Sequence, residues 1–386
     1  MRILATCSMG GMGHLLPVLT AVKAYERLGH TVHLLVPPSL SAEAERSGAA
    51  VTAGSEPDAQ FIEEIWHAAL DANAPSGFID TELFAKHAAR AMLPHARKLC
   101  DAVKPNVILR EPCEYAAAVA AFERGIPQAQ IGISQAHIEW KVLGTVAPVL
   151  EGYANGIART IRAQPYLTSF PEPLDSSPWP DTRRYRLDDG DEGAAGRTFE
   201  KVATGWESPL VYVTFGTVFG HVPGARAVYR SVLDLLGKLP YQFIMTVGSH
   251  IAIEHLAPVP ENVHAYQWIP QSAVFPHVRA VLCHGGSGTT WGALAAGIPV
   301  GVWPFFADQE ANGRLVAKAG AGIMKRGNGA SNAGMKPFDA RDLGELRSMI
   351  NQLVEDPRFG SAALRIREAM GEQKPLHTVL AGLLCP

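Results

Sequence analysis

The residue in the first third of the chain that is best placed to do chemistry is His14. An apolar run, Arg2–Cys7, and a glycine-rich turn precede it, and apolar residues at helical spacing continue to Leu28. The pattern predicts a buried strand, a tight turn and a helix that begins at His14. A helix N-terminus disfavours imidazolium, so the ring is expected to stay neutral near neutral pH and to accept a proton. A histidine that only caps the helix is the alternative.

A histidine with this role usually has a carboxylate that fixes its tautomer and stabilises its charged form. The predicted strand Asn106–Leu109 is followed by Glu111 and, three residues later, by Glu114. Glu111 lies at the carboxyl end of this strand, where it can approach His14 across neighbouring strand ends. Glu114 is the other candidate. For either residue the alternative is a carboxylate that accepts hydrogen bonds from the first N–H groups of the next helix.

The second half of the chain carries a loop suited to an anion. The apolar run Ala280–Cys283 leads into His284-Gly285-Gly286-Ser287-Gly288-Thr289-Thr290 and then into an apolar helix. The glycines let the backbone approach a ligand, while the hydroxyls, His284 and the helix start supply donors. The segment therefore favours a diphosphate, with a purely structural turn as the alternative. No lysine follows the glycines, so a nucleotide-hydrolysing P-loop is not indicated.

Three further features would complete a nucleotide-sugar site. Trp268 follows a short predicted strand, where its indole can stack on a base, unless it is an ordinary core tryptophan. Gly216 and Thr217 end the first predicted strand of the second half, with room and a hydroxyl for a phosphate. Asp308 and Gln309 pair a carboxylate with an amide, which can accept from and donate to adjacent sugar hydroxyls. Capping of the next helix is the other reading of this pair.

Composition bounds the fold and excludes several classes of protein. The chain has 386 residues, and because single cores stop growing at roughly 250–300 residues, two domains are expected. The net charge of −3 offers no basic surface for nucleic acid or for an anionic membrane. The five cysteines are widely separated and form no CxxC pair, so neither a disulfide framework nor a zinc site is expected and the cytoplasm is the expected compartment.

Strand and helix patterns alternate in both halves of the chain, which predicts two successive doubly wound α/β domains. The alternation weakens from Pro165 to about Trp206, a stretch rich in proline and acidic residues that we predict to be the interdomain linker. The acidic run at 188–193 is expected to be a solvated loop, since its spacing matches no calcium loop. A dinucleotide cofactor is disfavoured in the first domain, because Leu16 stands where a third glycine is needed.

Three stretches of the chain resemble family-1 glycosyltransferases, and among them the bacterial enzymes that decorate macrolides, polyketides and other natural products. They read GGMGHLLPVLTAVKAYERLGHTV, SPLVYVTFGTV and NVHAYQWIPQSAVFPHVRAVLCHGGSGTTWGALAAGIPVGVWPFFADQEANGRLV. The resemblance implies a GT-B fold, in which two Rossmann-like domains with parallel sheets face each other across a cleft. We place the acceptor-binding domain at 1–200 and the donor-binding domain at 207–372, with a C-terminal helix at about 373–386 that packs back on the first.

The resemblance also implies roles for individual residues. His14 matches the general base, and Glu111 stands where many members carry the aspartate that orients it. The residues expected to bind the donor are Gly216, Thr217, Trp268, Gln271, His284, Gly286, Ser287, Gly288, Thr289, Asp308 and Gln309. The acceptor pocket varies within the family, and the candidates for it are Trp66, Phe84 and Trp140. Core packing is the alternative for these three aromatic residues.

The implied reaction is an inverting, metal-independent transfer of a sugar from an NDP-sugar, UDP- or dTDP-linked, to a hydroxyl of a small apolar natural product such as an antibiotic aglycone or its glycoside. No cofactor, nucleic acid or membrane insertion is expected, and the oligomeric state stays open. Two other readings share the scaffold: a nucleotide-sugar epimerase, and an inactive sugar-nucleotide-binding partner of another transferase.

Overall fold

The computed structural model describes residues 1–69, 75–187, 209–217, 219–327, 330–331 and 334–384. The chain divides into two compact units, Met1–Asp188 with Gln373–Pro386, and Asp189–Glu372. Each unit contains one parallel sheet with helices packed against it. The predicted fold class, two doubly wound parallel-sheet domains, is confirmed.

The first unit is built on a parallel sheet with the strand order β7-β6-β5-β4-β1-β2-β3. These strands are β1 (Arg2–Thr6), β2 (Thr31–Val36), β3 (Ala50–Ala53), β4 (Val107–Arg110), β5 (Gln128–Ile131), β6 (Tyr166–Thr168) and β7 (Thr182–Arg186). Its helices are α1 (Met12–Arg27), α2 (Ser41–Glu45), α3 (Ala59–Ala69), α4 (Ala89–Val103), α5 (Ala116–Arg124), α6 (Ala136–Glu151) and α7 (Ile157–Ala163). A wider, π-helical segment, Asp80–Ala88, leads directly into α4.

The second unit has six parallel strands in the order β10-β9-β8-β11-β12-β13. They are β8 (Leu210–Thr214), β9 (Gln242–Thr246), β10 (Val263–Tyr266), β11 (Ala280–Cys283), β12 (Val300–Val302) and β13 (Gly322–Met324). A short antiparallel pair follows, β14 (Ala330–Ser331) and β15 (Gly334–Met335). The helices are α8 (Ala225–Leu236), α9 (Gln271–Val274), α10 (Ser287–Ala295), α11 (Gln309–Lys318), α12 (Ala340–Glu355) and α13 (Pro357–Gly371).

After α13 the chain returns to the first unit. Strand β16 (Lys374–Pro375) pairs with β7 and becomes the eighth strand of the first sheet, and α14 (Leu376–Ala381) packs against α1. Leu376 and Leu380 are fully buried there, in the same apolar cluster as Ile3 and Ala5 of β1. Helix α14 is therefore part of the first unit's core.

Sheet topology determines which loops meet. In each sheet the strand order reverses between two adjacent strands, β1 and β4 in the first unit and β8 and β11 in the second. Ligands of open α/β sheets bind at such reversals, beyond the carboxyl ends of the strands. Thr6 of β1 pairs with Arg110 of β4, and Thr214 of β8 pairs with Cys283 of β11. The loops that follow these four residues carry the histidines and glutamates singled out above.

The structure of residues 165–187 shows that one prediction was wrong. We expected an interdomain linker from Pro165, but β6 and β7 lie within this stretch and extend the first sheet. The strands are short and β7, with the sequence TRRYR, is mostly polar, so neither shows the apolar pattern of a buried strand. Four prolines of this stretch, Pro171, Pro173, Pro178 and Pro180, lie in the connection between the two strands. The acidic run and the domain limits at 200 and 207 lie outside the described residues.

None of the helices in the described part of the chain is both long enough and apolar enough to cross a bilayer.

The buried C-terminal helix generates a first prediction. Leu380→Ala removes a fully buried side chain from the first unit, and we expect the free energy of unfolding to fall by ~2–5 kcal/mol, because the cavity is only partly refilled. Leu364→Ala is the matched control, since this leucine is 47% exposed on α13. Urea unfolding followed by circular dichroism measures both. Equal losses in the two variants would contradict the placement of α14 in a core.

Candidate active site

The turn between β1 and α1 holds the His14 ring against two neighbours. Gly10 and Gly11 have φ angles of 139° and 77°, which lie in the region that favours glycine. A Cβ at Gly10 would lie 2.5 Å from Nε2 of His14, so this position also needs a residue without a side chain. The ring of Phe84 stacks on the imidazole with centroids 5.5 Å apart. His14 is left with a side chain that is 17% exposed.

The carboxylate of Glu111 is fully buried and faces this ring. Its Oε1 accepts a hydrogen bond from the backbone N–H of Ser8 at 3.0 Å, and its Oε2 accepts one from the N–H of Cys113 at 2.6 Å. Nδ1 of His14 lies 3.3 Å from Oε1 of Glu111. Two backbone donors thus hold the carboxylate in front of one ring nitrogen.

Glu114, the other candidate, points elsewhere. It accepts hydrogen bonds from the Thr6 hydroxyl and from the backbone N–H groups of Ala116 and Ala117, and so caps α5. The structure therefore brings Glu111, and not Glu114, to His14. Burial raises the pKa of Glu114 to about 7, although the N–H of Ala117 and the nearby Arg110 act in the opposite direction.

Two side chains of this site were missed by the sequence analysis. Asp80, at the start of the π-helical segment, has a pKa raised to about 6 by burial, with the nearby His14 acting in the opposite direction. Cys113 is half-buried, and burial together with the charge of Glu111 raises the pKa of its thiol. Its position two residues after Glu111 is a signal that could have been used. The sequence contains no such signal for Asp80, because this residue reaches the site only through packing of the π-helical segment.

Glu139 orders the loop that follows β5 at the same edge of the sheet. Its Oε1 accepts from the N–H groups of Ile133 and Ser134 at 2.8 and 2.6 Å, and its Oε2 accepts from the Tyr166 hydroxyl at 2.6 Å. Burial raises the pKa of this carboxyl to about 8, against the effect of these donors. No pattern in the sequence indicated this role.

In the second unit, the predicted phosphate loop lies at the start of α10. Gly286 precedes the helix in an extended conformation and provides no side-chain cap. The ring of His284 lies between two glycines, since a Cβ at either Gly216 or Gly286 would lie 2.8 Å from its Cε1. Burial lowers the pKa of His284 to about 4, with Asp308 acting in the opposite direction. His284 is thus a neutral imidazole beside an uncapped helix start.

Asp308 contacts the phosphate loop and does not cap its own helix. Its Oδ2 accepts hydrogen bonds from the Ser287 hydroxyl at 2.8 Å and from Nδ2 of Asn312 at 3.1 Å. Asn312 is fully buried and also donates to the carbonyl of Gly285 and to Ser287. It therefore connects the loop to α11. Sequence analysis missed Asn312, although its position one helical turn after Asp308 places the two side chains on the same face of α11.

The remaining donor candidates lie around the same loop. Oε1 of Gln309 accepts from the N–H groups of Phe305 and Phe306, and Nε2 of Gln271 donates to the Thr289 hydroxyl at 2.7 Å. Trp268 is 60% exposed, so it is not a core tryptophan. Three donor candidates remain. Gly216, after β8, has a φ of 82°, and Thr217 beside it is half-buried. Gly288 is exposed in the first turn of α10.

The three acceptor candidates occupy different surroundings. Phe84 is 9% exposed and stacks on His14, as described above. Trp140 lies edge-on to Trp179 with ring centroids 5.0 Å apart, and the guanidinium of Arg162 lies 4.9 Å from its ring centre. Trp66 belongs to α3, but its side chain lies outside the described residues.

Comparison with known proteins shows what the chain is similar to. Residues 230–383 match the family described as erythromycin biosynthesis protein CIII-like, C-terminal domain. An L-demethylnoviosyl transferase of Streptomyces niveus is 26% identical over 408 aligned positions, covering 99% of this chain and 97% of that protein. The crystal structure of the Streptomyces sp. SF2575 glycosyltransferase SsfS6 with thymidine diphosphate superposes with a TM-score of 0.76 at 20% identity, covering 99% of both chains.

A mycobacterial PGL/p-HBAD biosynthesis glycosyltransferase, from Mycobacterium tuberculosis, is 31% identical over 176 residues. That match takes in 44% of this chain and 37% of the relative, so the chain spans little more than a third of that protein. The fold is that of the GT-B glycosyltransferases. The resemblance to bacterial family-1 glycosyltransferases, predicted from the sequence, is confirmed.

The buried Glu139 generates a prediction about pH. Its pKa is about 8 in the folded chain and near the ordinary 4.5 when unfolded, so the folded state binds the proton more tightly. Between these two values stability is therefore lost as pH rises, by at most ~1.4 kcal/mol per pH unit for one proton. Glu139→Gln keeps an acceptor for Ile133 and Ser134 without the charge, and should flatten this loss.

Urea unfolding at pH 5.5, 7 and 8.5 measures the effect. Glu172→Gln is the matched control on the same unit, because this glutamate is exposed. Parallel pH profiles for the Glu139→Gln variant and the wild type would contradict a proton on Glu139.

Proposed function

We propose that this chain is an inverting glycosyltransferase that moves a sugar from an NDP-sugar to a hydroxyl of a small natural-product acceptor, with His14 as general base. The observation that carries the proposal is the pairing of His14 with a buried carboxylate at the strand-order reversal of the first sheet. Nδ1 faces Glu111 at 3.3 Å, so Nε2 is the ring nitrogen left to accept a proton. Catalytic contacts of this kind often tighten only when substrate binds.

In the proposed reaction, Nε2 of His14 takes the proton of the acceptor hydroxyl as its oxygen attacks the anomeric carbon. The bond from that carbon to the donor phosphate breaks in the same displacement, so the configuration inverts and the nucleoside diphosphate leaves. Glu111 stabilises the imidazolium that forms, as a carboxylate does beside a catalytic histidine.

The second unit supports the donor half of the proposal. The N–H groups at the start of α10 lie in the part of a helix where anions bind, and Ser287 and Thr289 add hydroxyls. His284 is neutral, so it can donate one hydrogen bond without charge. These donors can stabilise the charge on the leaving diphosphate, and we therefore expect no requirement for a divalent cation. The exposed indole of Trp268 is a surface for the base.

Relatives support the substrate classes. The thymidine diphosphate bound to SsfS6 favours a nucleoside-diphosphate donor, with dTDP and UDP as the candidates. The family description names erythromycin biosynthesis, which favours an acceptor of the antibiotic type. Asp308 and Gln309 would then contact the sugar hydroxyls, and the edge of Phe84 beside His14 would be one wall for an apolar acceptor.

The general base generates the first test. His14→Ala should lower kcat by ~10²–10⁴-fold, because proton transfer to a positioned histidine contributes about that much. Glu111→Gln should lower kcat by orders of magnitude as well, since a neutral amide cannot stabilise imidazolium. Binding of thymidine diphosphate or UDP, measured by calorimetry, should be unchanged in both. Mass spectrometry of products from a panel of dTDP- and UDP-sugars with macrolide and aromatic polyketide acceptors measures turnover. Full activity of His14→Ala would reject the assignment.

Incubation of each donor without acceptor is the companion experiment. A transferase leaves the sugar unchanged apart from slow hydrolysis, whereas an epimerase would change its configuration, which NMR detects. Donor binding without either reaction, across the acceptor panel, would favour an inactive binding partner.

The phosphate loop generates a separate prediction. Gly286→Ala introduces a Cβ into the space of the His284 ring, so the Kd for thymidine diphosphate or UDP should rise at least tenfold. Gly344→Ala is the control in the same unit, because this exposed residue of α12 has open space around its Cα and the substitution favours the helix. Unchanged affinity in the Gly286→Ala variant would argue against diphosphate binding at this loop.

A further inference from the structure

Cys113 lies beside the His14–Glu111 pair and has no part in the proposed reaction. A ring nitrogen of His14, a carboxylate oxygen of Glu111 and Sγ of Cys113 all lie within 4.8 Å of one another. We propose that these three side chains form a binding site for a zinc-type divalent cation, which occupies the base and inhibits the enzyme. The inhibition rests on the proposed function, whereas binding of the cation does not.

Geometry supports a shared ion. Nδ1 of His14 and Oε1 of Glu111 are 3.3 Å apart, and two nitrogen or oxygen ligands at ~2.0–2.1 Å from a tetrahedral zinc ion lie ~3.3–3.4 Å apart. A single ion can therefore reach both atoms with little movement of either side chain. Nδ1 is buried and makes no hydrogen bond within the described part of the chain, so no hydrogen bond has to be broken first.

The ligand types select the cation. Imidazole, carboxylate and thiolate together suit zinc and its close relatives cadmium and cobalt, whereas magnesium and calcium prefer oxygen ligands alone. Three protein ligands leave a fourth position for water or for an acceptor oxygen. An ion on Nδ1 leaves the neutral imidazole with its one proton on Nε2, so this nitrogen can no longer accept the proton of the acceptor hydroxyl.

The ligands are held in position before any ion binds. Glu111 is fixed by the N–H groups of Ser8 and Cys113, and the second of these bonds joins two of the three ligands directly. His14 is fixed by Gly10 and Phe84. Preorganised ligands lose little freedom on binding, which favours affinity.

Charge at the site also favours a cation. The carboxyl groups of Asp80 and Glu111 both act on Cys113. Arg110 opposes them, but its guanidinium is turned to Oε1 of Gln128 and to backbone carbonyls of the following loop. The carboxyl groups outnumber this cation, and a dication would offset their charge.

Cadmium provides a direct probe, because a cadmium–thiolate bond has its own ultraviolet charge-transfer band. We expect the full-length, untagged chain to develop this band on titration with one equivalent of Cd²⁺. Cys113→Ser should abolish it, whereas Cys100→Ser, a matched change of a buried cysteine in α4, should keep it. His14→Ala retains the thiol and should weaken Cd²⁺ binding at least tenfold, which covers the case of a Cys113→Ser variant that does not fold.

Zinc inhibition is the second readout. The Zn²⁺ concentration that halves glycosyl transfer should rise at least tenfold in Cys113→Ser, relative to that variant's own activity, and stay unchanged in Cys100→Ser. A band that survives in Cys113→Ser, or is unaffected by His14→Ala, would overturn the site. So would inhibition that is lost only when His250 is changed, since His221 and His250 form a second histidine pair with ring centroids 3.3 Å apart.

The two proposals fail separately. If the band follows Cys113 and His14 but Zn²⁺ leaves the activity intact, the inhibitory part is wrong, and the activity of His14→Ala then decides whether His14 is the base. If His14→Ala is inactive and no band forms in the wild type, the metal site is wrong and the proposed function stands.

Discussion

The buried carboxylate of Glu111 is the interaction on which the arrangement of the first unit's site depends. A carboxylate without contact to water is tolerated only when hydrogen bonds replace its hydration. Backbone N–H groups from the loop after β1 and the loop after β4 supply these bonds. The loop that donates through Ser8 leads directly into the first turn of α1, which carries His14. Satisfying one buried charge therefore fixes the distance between two strand ends and, with it, the position of the imidazole.

Backbone N–H groups at the sheet edge of the second unit differ from these in what they can bind. Around its phosphate loop the side chains bond to one another: Ser287 and Asn312 donate to Asp308, and Gln271 donates to Thr289. Gly286 has no side chain to cap the helix. An anion from solution can therefore approach the N–H groups at the start of α10, whereas the loop N–H groups of Ser8 and Cys113 in the first unit already hold a carboxylate of the protein. This difference agrees with the proposed base in one unit and the proposed diphosphate site in the other.

The sequence predicted those parts of the molecule that depend on local pattern. The boundaries of α1 and β11 agree with the predicted elements to within about two residues, because glycine turns and apolar periodicity define them. The sequence could not show whether Glu111 or Glu114 faces His14. That depends on the pairing of Thr6 with Arg110 and on which carboxylate faces the turn. Strands β6 and β7 were missed because sheet extension, and not their own composition, stabilises them.

Contacts between segments far apart in the sequence could not be predicted either. Phe84 and Asp80 approach His14 from a π-helical segment about seventy residues further along the chain, and π-helical turns are rare and have no sequence signature. The absence of a CxxC pair led us to expect no zinc site, whereas the site proposed above combines a histidine of α1 with a glutamate and a cysteine of the loop after β4. Spacing rules detect ligands within one loop and do not detect ligands that a sheet brings together.

The return of the chain to its first sheet has a consequence for biosynthesis on the ribosome. The edge strand β16 and the apolar face of α14 are translated after the second unit, although they complete the unit that begins at residue 1. That unit must wait with an unpaired edge at β7 while the whole second unit emerges and folds. During this interval β7 is exposed to pairing with other chains. Its three arginines, Arg183, Arg184 and Arg186, are the kind of charged residues that discourage such pairing.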